Sequence, residues 1–431
     1  MNENMSKNSD RVTNRVDCLI AGGGYVGLSV AVAIKSAAPH LSITIVDVAP
    51  RSAIENETRA SAIAAAASRM LNEFGIWDDM LKDAQPINKM IITDSKTSDV
   101  VRPVFLTFGH DVNEDVIQEQ GEPFAHMLPN KTMIKALRTK AEELGVELLH
   151  EDSVESFSKG VATTCVSLGS GKMFEARVLI AADGVRSKLR TAAGIKTVHW
   201  PYDQMGIVIT VSHERPHNGV AEEHFLPAGP FAILPLKGNK SSLVWTEATK
   251  DAKRILAMDD LMFELELEQR FGHKLGNISV VGGRKAFPLG LTLARGFVKE
   301  RFALVGDAAH GIHPISGQGL NLGFKDAAAL AETIVEADRL GLDIGSLTVL
   351  ERYERWRRFD TVQMGIVTDV LNRLFSNDNP VLRLARDVGL GMVEKMPGLK
   401  DRFVNQAAGR SGGVMEKMTG EQPRLLVGEA I

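Results

Sequence analysis

The stretch Val305–Ala327, VGDAAHGIHPISGQGLNLGFKDA, sets Asp307, His310 and His313 among five glycines and mostly small or aliphatic neighbours. Three chemistries leave such a trace: a metal centre, a phosphate cradle, or a clamp on a flavin. The histidines stand at i and i+3, a spacing that suits two metal ligands. No third ligand is identifiable nearby and His313 precedes a proline, so no metal is expected and the pair reads as loop-shaping or pocket-lining.

A second glycine cluster decides between the other two. Gly22, Gly24 and Gly27 form G-x-G-x-x-G between an apolar run, VDCLIA, and a helix-like run, LSVAVAIKSAAP. In that context the first glycine permits a tight turn, the second lets backbone approach a pyrophosphate, and the third lets helix pack on strand. The phosphates then sit at the positive end of the helix. Asp47 follows twenty residues after Gly27, at the end of the next strand-like run, where a ribose hydroxyl needs an acceptor. The competing reading is a purely structural turn. An acid in that place favours NAD or FAD over NADP. Asp307, just past the strand-like run RFALVG, offers a second carboxylate, which suits a longer ligand with hydroxyls to bind. The ribityl chain of FAD meets that description, and the amides from Gly317 to Asn321 would then face the pyrimidine edge of its ring. GSGKM at Gly169 lacks the first glycine and the Ser/Thr of a P-loop.

The elements that must carry these residues alternate. Strand, glycine turn, helix and strand run from Val16 to Pro50, and Ala60–Leu81 reads as a long alanine-rich helix broken near Gly75. Short strand-like runs and a polar loop at Gly109–Gly121 follow, then a helix from Asn130, an alternating stretch with a hairpin at GSGK, and the buried strand VLIAADG. Val198–Val281 is rich in strands, with one helix near Asp260–Phe271, and the chain from Asn321 on is almost entirely helical. The pattern predicts an α/β fold: a doubly wound FAD-binding domain of the glutathione reductase kind, with an inserted β-sheet substrate domain and a helical C-terminal region. Its boundaries are placed at 14–85, 122–190 and 283–360 for the interleaved FAD-binding segments, 86–121 and 191–282 for the inserted sheet, and 361–431 for the helical region.

The whole chain bounds the partners. It has 431 residues, 44% hydrophobic and 24% charged, which suits two or three structural units of ordinary globular composition. A net charge of -4 argues against nucleic acid, which needs a basic footprint. Cys18 and Cys165 are too few for a disulfide framework and lack zinc-site spacing. The polar N-terminus has no signal-peptide core, and Leu19–Ile34 is too short to span a bilayer. A cytoplasmic protein is expected, at most peripheral at the inner face of the membrane.

Taken together, GxGxxG, AADGVRSKLR (Ala181–Arg190) and GDAAHGIHPISGQGLNLGFKDA resemble the single-component FAD-dependent aromatic monooxygenases, those with the para-hydroxybenzoate hydroxylase-like fold. HPISGQGLNLGFKD, LNEFGIWDDMLKDAQPI and GPFAILPLKGNKSSLVW resemble the ubiquinone-biosynthesis hydroxylase branch, and the likeness runs from about Val16 to Gly409. The resemblance implies that Gly22, Gly24, Gly27 and Asp47 hold the ADP half, and that Arg59 lies near the diphosphate and ribityl region. It places Asp183 and Gly184 in a D-G motif that touches FAD and NAD(P)H, with Asp307 on the ribityl chain. Pro314 would lie against the ring as the flavin-facing residue of catalysis, Gly319 and Asn321 would meet the pyrimidine edge, and Asn130 would open a helix at a flavin contact. On residues alone, Asp183-Gly184 also reads as a simple turn and Arg59 as a surface ion-pair partner.

The implied activity is hydroxylation of the ring of a polyprenylated phenol through a flavin C4a-hydroperoxide. O2 is the co-substrate, and NAD(P)H or an electron-transfer protein the reductant; there is no second GxGxxG for a dedicated nicotinamide domain. The alternative is an FAD-dependent hydroxylase of another small aromatic compound. A halogenase would carry W-x-W-x-I-P, which none of the four tryptophans offers. Such a substrate lives in the bilayer, and Asp360–Phe375 and Asn379–Met396 place apolar residues at helical spacing with basic residues between them. Those helices read as core or oligomer packing, or as a surface for membrane or other quinone-biosynthesis proteins.

Overall fold

A computed structural model describes residues 13–95, 102, 104–109, 123, 125–313, 317–376 and 422–431. From the N-terminus, β1 (Thr13–Ala21) leads through the Gly22 turn into α1 (Tyr25–Ala37) and β2 (Ile43–Asp47). Next come β3 (Ala60–Ala64), α2 (Ala65–Glu73), α3 (Trp77–Leu81), β4 (Gln85–Ile87), β5 (Lys89–Asp94), β6 (Val104–Gly109) and β7 (Ala125–Pro129). Then follow α4 (Asn130–Glu143), β8 (Glu147–His150), β9 (Val154–Lys159), β10 (Thr164–Leu168), β11 (Met173–Ala181) and α5 (Lys188–Ala192). A β-rich run holds β12 (Thr197–His213), β13 (Val220–Leu226), β14 (Gly229–Leu236), β15 (Lys240–Ala248), α6 (Thr249–Leu256), α7 (Asp260–Phe271) and β16 (Ile278–Ala294). Last are β17 (Val298–Lys299), β18 (Phe302–Leu304), β19 (His310–Gly311), α8 (Gln318–Arg339), α9 (Leu347–Phe375) and α10 (Arg424–Val427).

These strands make three sheets. The first runs β17-β18-β11-β1-β2-β8, with β10 and β9 added beside β11. Its inner strands are parallel and buried on both faces: Cys18, Leu19, Ile20, Val178, Leu179 and Ile180 have no exposed surface. That explains why they read as unbroken apolar runs. The second sheet runs β19-β16-β12-β15-β14-β13-β5-β6, and a small third sheet, β3-β7-β4, packs against it. On the second sheet Ile207, Phe231, Leu243 and Trp245 bury against Ile255, Phe263 and Leu267 of α6 and α7. The opposite face packs Ala221 against Ala60, Ala62, Ala125 and Met127 of the third sheet.

Three sequence expectations change. Ala60–Ala64 is a strand rather than the start of a helix; its five residues pair with Ala125–Pro129, and that pairing outweighs the helix preference of alanine. Two helices, α6 and α7, stand where one was expected. The return to the first sheet, placed by sequence at residue 283, comes at Val298, because β16 keeps partners on β12 out to Ala294. No helix among the described residues is long and apolar enough to cross a membrane. Most of the expected C-terminal helical region, including Asn379–Met396, lies outside the described residues.

Candidate functional site

The C-terminal ends of β1, β2, β11 and β18 lie along one edge of the first sheet, each with a polar loop. In an open α/β sheet, that edge is where ligands bind. At β1, Gly22 has φ 114°, and a Cβ there would stand 2.3 Å from the Ala182 carbonyl oxygen. A Cβ on Gly27 would stand 2.0 Å from the Gly22 carbonyl oxygen, so the helix could not pack so close to the turn. Gly24 differs: a Cβ there would meet nothing within 4 Å. Two of the three glycines are therefore required by the protein's own packing, and the third borders open space at the start of α1, where the first-turn amides lack partners.

Asp47 ends β2. Its Oδ2 accepts from the Gly23 amide and its Oδ1 from the Ala49 amide, both at 2.9 Å. The carboxylate is thereby pinned beside a narrow crevice lined by Gly23, Asp47, Arg138 and His150.

Asp307 follows β18 in a short 3-10 turn, Gly306–Ala308. β18, β11, β1 and β2 are neighbours, so the two carboxylates stand three strands apart, about 14 Å at ~4.8 Å per step. Asp307 is exposed to solvent at the surface of the turn, yet protein atoms crowd round its carboxyl. Desolvation there raises its carboxyl above the ordinary range, opposed by His310 and Arg59. It accepts no hydrogen bond from any described residue, so its acceptor capacity is unspent.

The turn beneath Asp307 is built on a residue the sequence reading passed over. Asp326 on α8 is fully buried; its Oδ2 accepts from the Gly306 amide (2.9 Å) and from His310 Nε2 (2.5 Å), and its Oδ1 from Arg357 Nε on α9 (2.8 Å). Burial alone would raise this carboxyl, but His310 and Arg357 outweigh it and hold it below the ordinary range. His310 is thus a loop-shaping residue bonded to a carboxylate. Tyr353 on α9 adds a further tie, its hydroxyl donating to the Leu304 carbonyl at 2.7 Å.

Arg190 was also missed. Buried on α5, it donates to the Ala308 carbonyl (2.7 Å) and the Val185 carbonyl (2.9 Å). It joins the loop after Asp183 and Gly184 to the loop carrying Asp307. Asp183 itself is exposed, accepting from the Leu189 amide at 3.4 Å, and Gly184 follows with φ 82°. Asp326 and Arg190 lie inside the quoted motifs, but one sequence carries no mark that tells such a support from a solvated charge.

The remaining residues gather on the β3 side. Arg59 pairs with Glu57 at 2.6 Å, lies 5.6 Å from the centre of the Phe287 ring, and is near enough to Asp307 to influence its charge. Asn130, the first residue of α4, accepts from the Ser61 hydroxyl at 2.7 Å, and its amide donates to the Arg59 carbonyl. Asn321 spends its side chain on the protein: Oδ1 accepts from the Ala64 amide (2.9 Å) and Nδ2 donates to the Ala62 carbonyl (3.0 Å). It staples β3 to the start of α8, which leaves the first-turn amides around Gly319 as the donors there. Gly317 caps that helix in the left-handed conformation, φ 61°. Pro314 lies outside the described residues.

This donor set fits an FAD: open ground before a helix start, a pinned carboxylate beside a crevice, and an unspent carboxylate three strands away. If Asp307 holds the flavin, Asp307→Ala protein is expected to purify colourless or flavin-poor. Loss of one or two charge-assisted hydrogen bonds weakens binding by about ten- to a hundredfold each. Full flavin occupancy by absorbance would refute the assignment.

Comparison with known proteins gives the same reading. The FAD binding domain family matches residues 15–359. A Rhodospirillum rubrum protein named ubiquinone hydroxylase UbiL is 41% identical over 416 residues, covering 96% of this chain and 92% of its own. The Escherichia coli 3-demethoxyubiquinol 3-hydroxylase is 31% identical over 409 residues, covering 92% of this chain and 100% of its own. Among solved structures, the p-nitrophenol 4-monooxygenase PnpA of Pseudomonas putida shares the fold, with a TM-score of 0.75 at 19% identity over 93% of this chain and 99% of its own. The chain belongs to the FAD binding domain family and is an FAD-dependent monooxygenase.

Proposed function

We propose that this enzyme hydroxylates the aromatic ring of a polyprenylated phenol in ubiquinone biosynthesis. The similarity over 96% of the chain to a ubiquinone hydroxylase carries the reading. The reaction consumes one O2, two protons and two electrons, the electrons from NAD(P)H or an electron-transfer protein, and gives one ring hydroxyl and one water. Bound FAD supplies the activation of oxygen. The chain's own residues bind, orient and exclude water. The first-turn amides of α1, just after Gly24, take the diphosphate, Asp47 a ribose hydroxyl and Asp307 the ribityl hydroxyls. The α8 first turn supplies partial positive charge beside Gly319, worth about 0.5–2 kcal/mol to an anionic group. Pro314 is proposed to lie against the flavin ring. The second sheet, with 86–121 and 191–282 as its main segments, roofs an apolar ring pocket.

Cells lacking the gene are expected to accumulate an under-hydroxylated prenyl phenol, read by mass spectrometry. Unchanged quinone levels would refute the pathway assignment. Contact with the membrane or with partner quinone-biosynthesis proteins is part of the same proposal, supported by Phe359, Ile366 and Val370, each half-exposed on α9. Residues 359, 366 and 370 fall on one helical face. Such a surface also suits an oligomer contact.

A further inference from the structure

Glu223 on β13 is 5% exposed and has no hydrogen-bond or ion-pair partner among the described residues. Burying a carboxyl without partners is costly, and such groups are rare in proteins unless something else satisfies them. With burial as its only perturbation, the carboxyl is pushed up to about 8.

Its position says what could satisfy it. One rung of the second sheet runs Lys285–Val208–Val244–Ala232–Glu223–Ile92, so these side chains share a face. That face looks toward the first sheet: Lys285 donates to the Asn56 carbonyl, and Phe287, two residues on, lies under Arg59. Around Glu223 the face is apolar. Ala221 and Phe225 flank it on β13, and Leu371, Leu374 and Phe375 of α9 cover Phe225. Of the charged groups nearby, Asp94 shares the face two residues along from Ile92, and Lys285 stands at the far end of the rung.

Ala221 is about 7 Å from Glu223 along the strand. It packs in one cluster with Ala62, whose Cβ lies 3.9 Å from where a Cβ on the Gly317 cap of α8 would stand. Glu223 is therefore an acceptor in a mostly apolar part of the face, with the Asp94 carboxylate diagonally across on β5 and Ala221 beside it toward the third sheet.

We propose that Glu223 positions the substrate, its carboxylate accepting a hydrogen bond from the phenolic hydroxyl while the surrounding apolar side chains hold the ring. Anchoring the hydroxyl sets which ring carbons face the cofactor, so Glu223 is also a determinant of the position oxidised. The inference rests on the phenol-hydroxylase reading above.

The test uses flavin-loaded enzyme, 2-geranylphenol and its methyl ether, with binding measured by calorimetry at about pH 9, where the carboxyl is ionised and a phenol near pKa 10 is not. Wild type is expected to prefer the phenol by about tenfold or more, the worth of a hydrogen bond to a charged group. Glu223→Leu should bind phenol and ether within about twofold of each other, since no acceptor remains. At about pH 9 Glu223→Leu should melt at a higher temperature than wild type without substrate, because it removes a buried carboxylate that has no partner. A phenol preference kept by Glu223→Leu overturns the proposal. So does a melting temperature of Glu223→Leu below that of wild type, which marks a structural carboxyl. Equal binding of both compounds by wild type sinks this inference alone; binding of neither sinks the phenol-hydroxylase reading with it.

Discussion

Replacing Asp326 with alanine is expected to destabilise the protein by about 3–5 kcal/mol, the usual range for removing one partner of a buried charge pair. Among the described residues, Arg357, 4% exposed, then keeps only the more distant Asp360, at 3.7 Å. The Gly306 amide and His310 Nε2 lose the acceptor that shapes the Asp307 turn. A fall in melting temperature on the order of 3–6 °C follows for a chain of this size, with flavin lost from a turn that no longer presents Asp307. Thermal melting with and without added FAD checks both effects; an unchanged melting temperature would show that the buried cluster contributes nothing. The dependence on pH has a definite sign. The Asp326 carboxyl sits below its ordinary value of 3.8 in the folded protein, so its stabilisation is complete above that value and is lost as the pH falls through the folded value. Asp326→Asn should remove that part of the acid sensitivity.

Gly24→Val should do the reverse: leave the fold intact and abolish cofactor binding. Gly24 has φ -74° and ψ 179°, extended backbone open to any residue, and a Cβ there meets nothing within 4 Å. Melting of the flavin-free protein should therefore stay within about 0.5 kcal/mol of wild type, as for exposed substitutions generally. A branched side chain in that space blocks the approach of a diphosphate to the α1 amides. A loss of about a hundredfold or more in FAD affinity, roughly 3 kcal/mol, is expected. Titration of flavin-free protein with FAD, followed by fluorescence quenching, measures it. Gly27→Val is the control, since its Cβ would stand 2.0 Å from a backbone oxygen and should unfold the protein outright. If Gly24→Val binds FAD as wild type does, the diphosphate lies elsewhere.

Much of the site was legible because its parts are local in the chain. A strand, a glycine turn and a helix are neighbours in sequence, so Gly22, Gly24, Gly27 and Asp47 announce themselves by spacing alone. Asp307 was legible for the same reason, as an acid set just after an apolar strand. Ala60–Ala64 shows the limit. Its composition favours helix, and only pairing with Ala125–Pro129, more than sixty residues away, makes it a strand. Asn321 shows a subtler one: its position at the start of α8 was legible, but not that its side chain is occupied by Ala62 and Ala64.

By itself, then, the amino-acid order determined the dinucleotide-type turn, the acids at two strand ends, the family and hence the chemistry, because each depends on residues close together in the chain or on motif wording. Tertiary structure alone decided that Asp47 and Asp307 stand at one edge of one sheet, that Asp326 and Arg190 hold the Asp307 turn from below, and that Glu223 is left without a partner among the described residues. Burial and hydrogen-bond satisfaction are properties of what surrounds a side chain. For these residues the surroundings come from segments tens to hundreds of positions away, brought together only when the sheets pack.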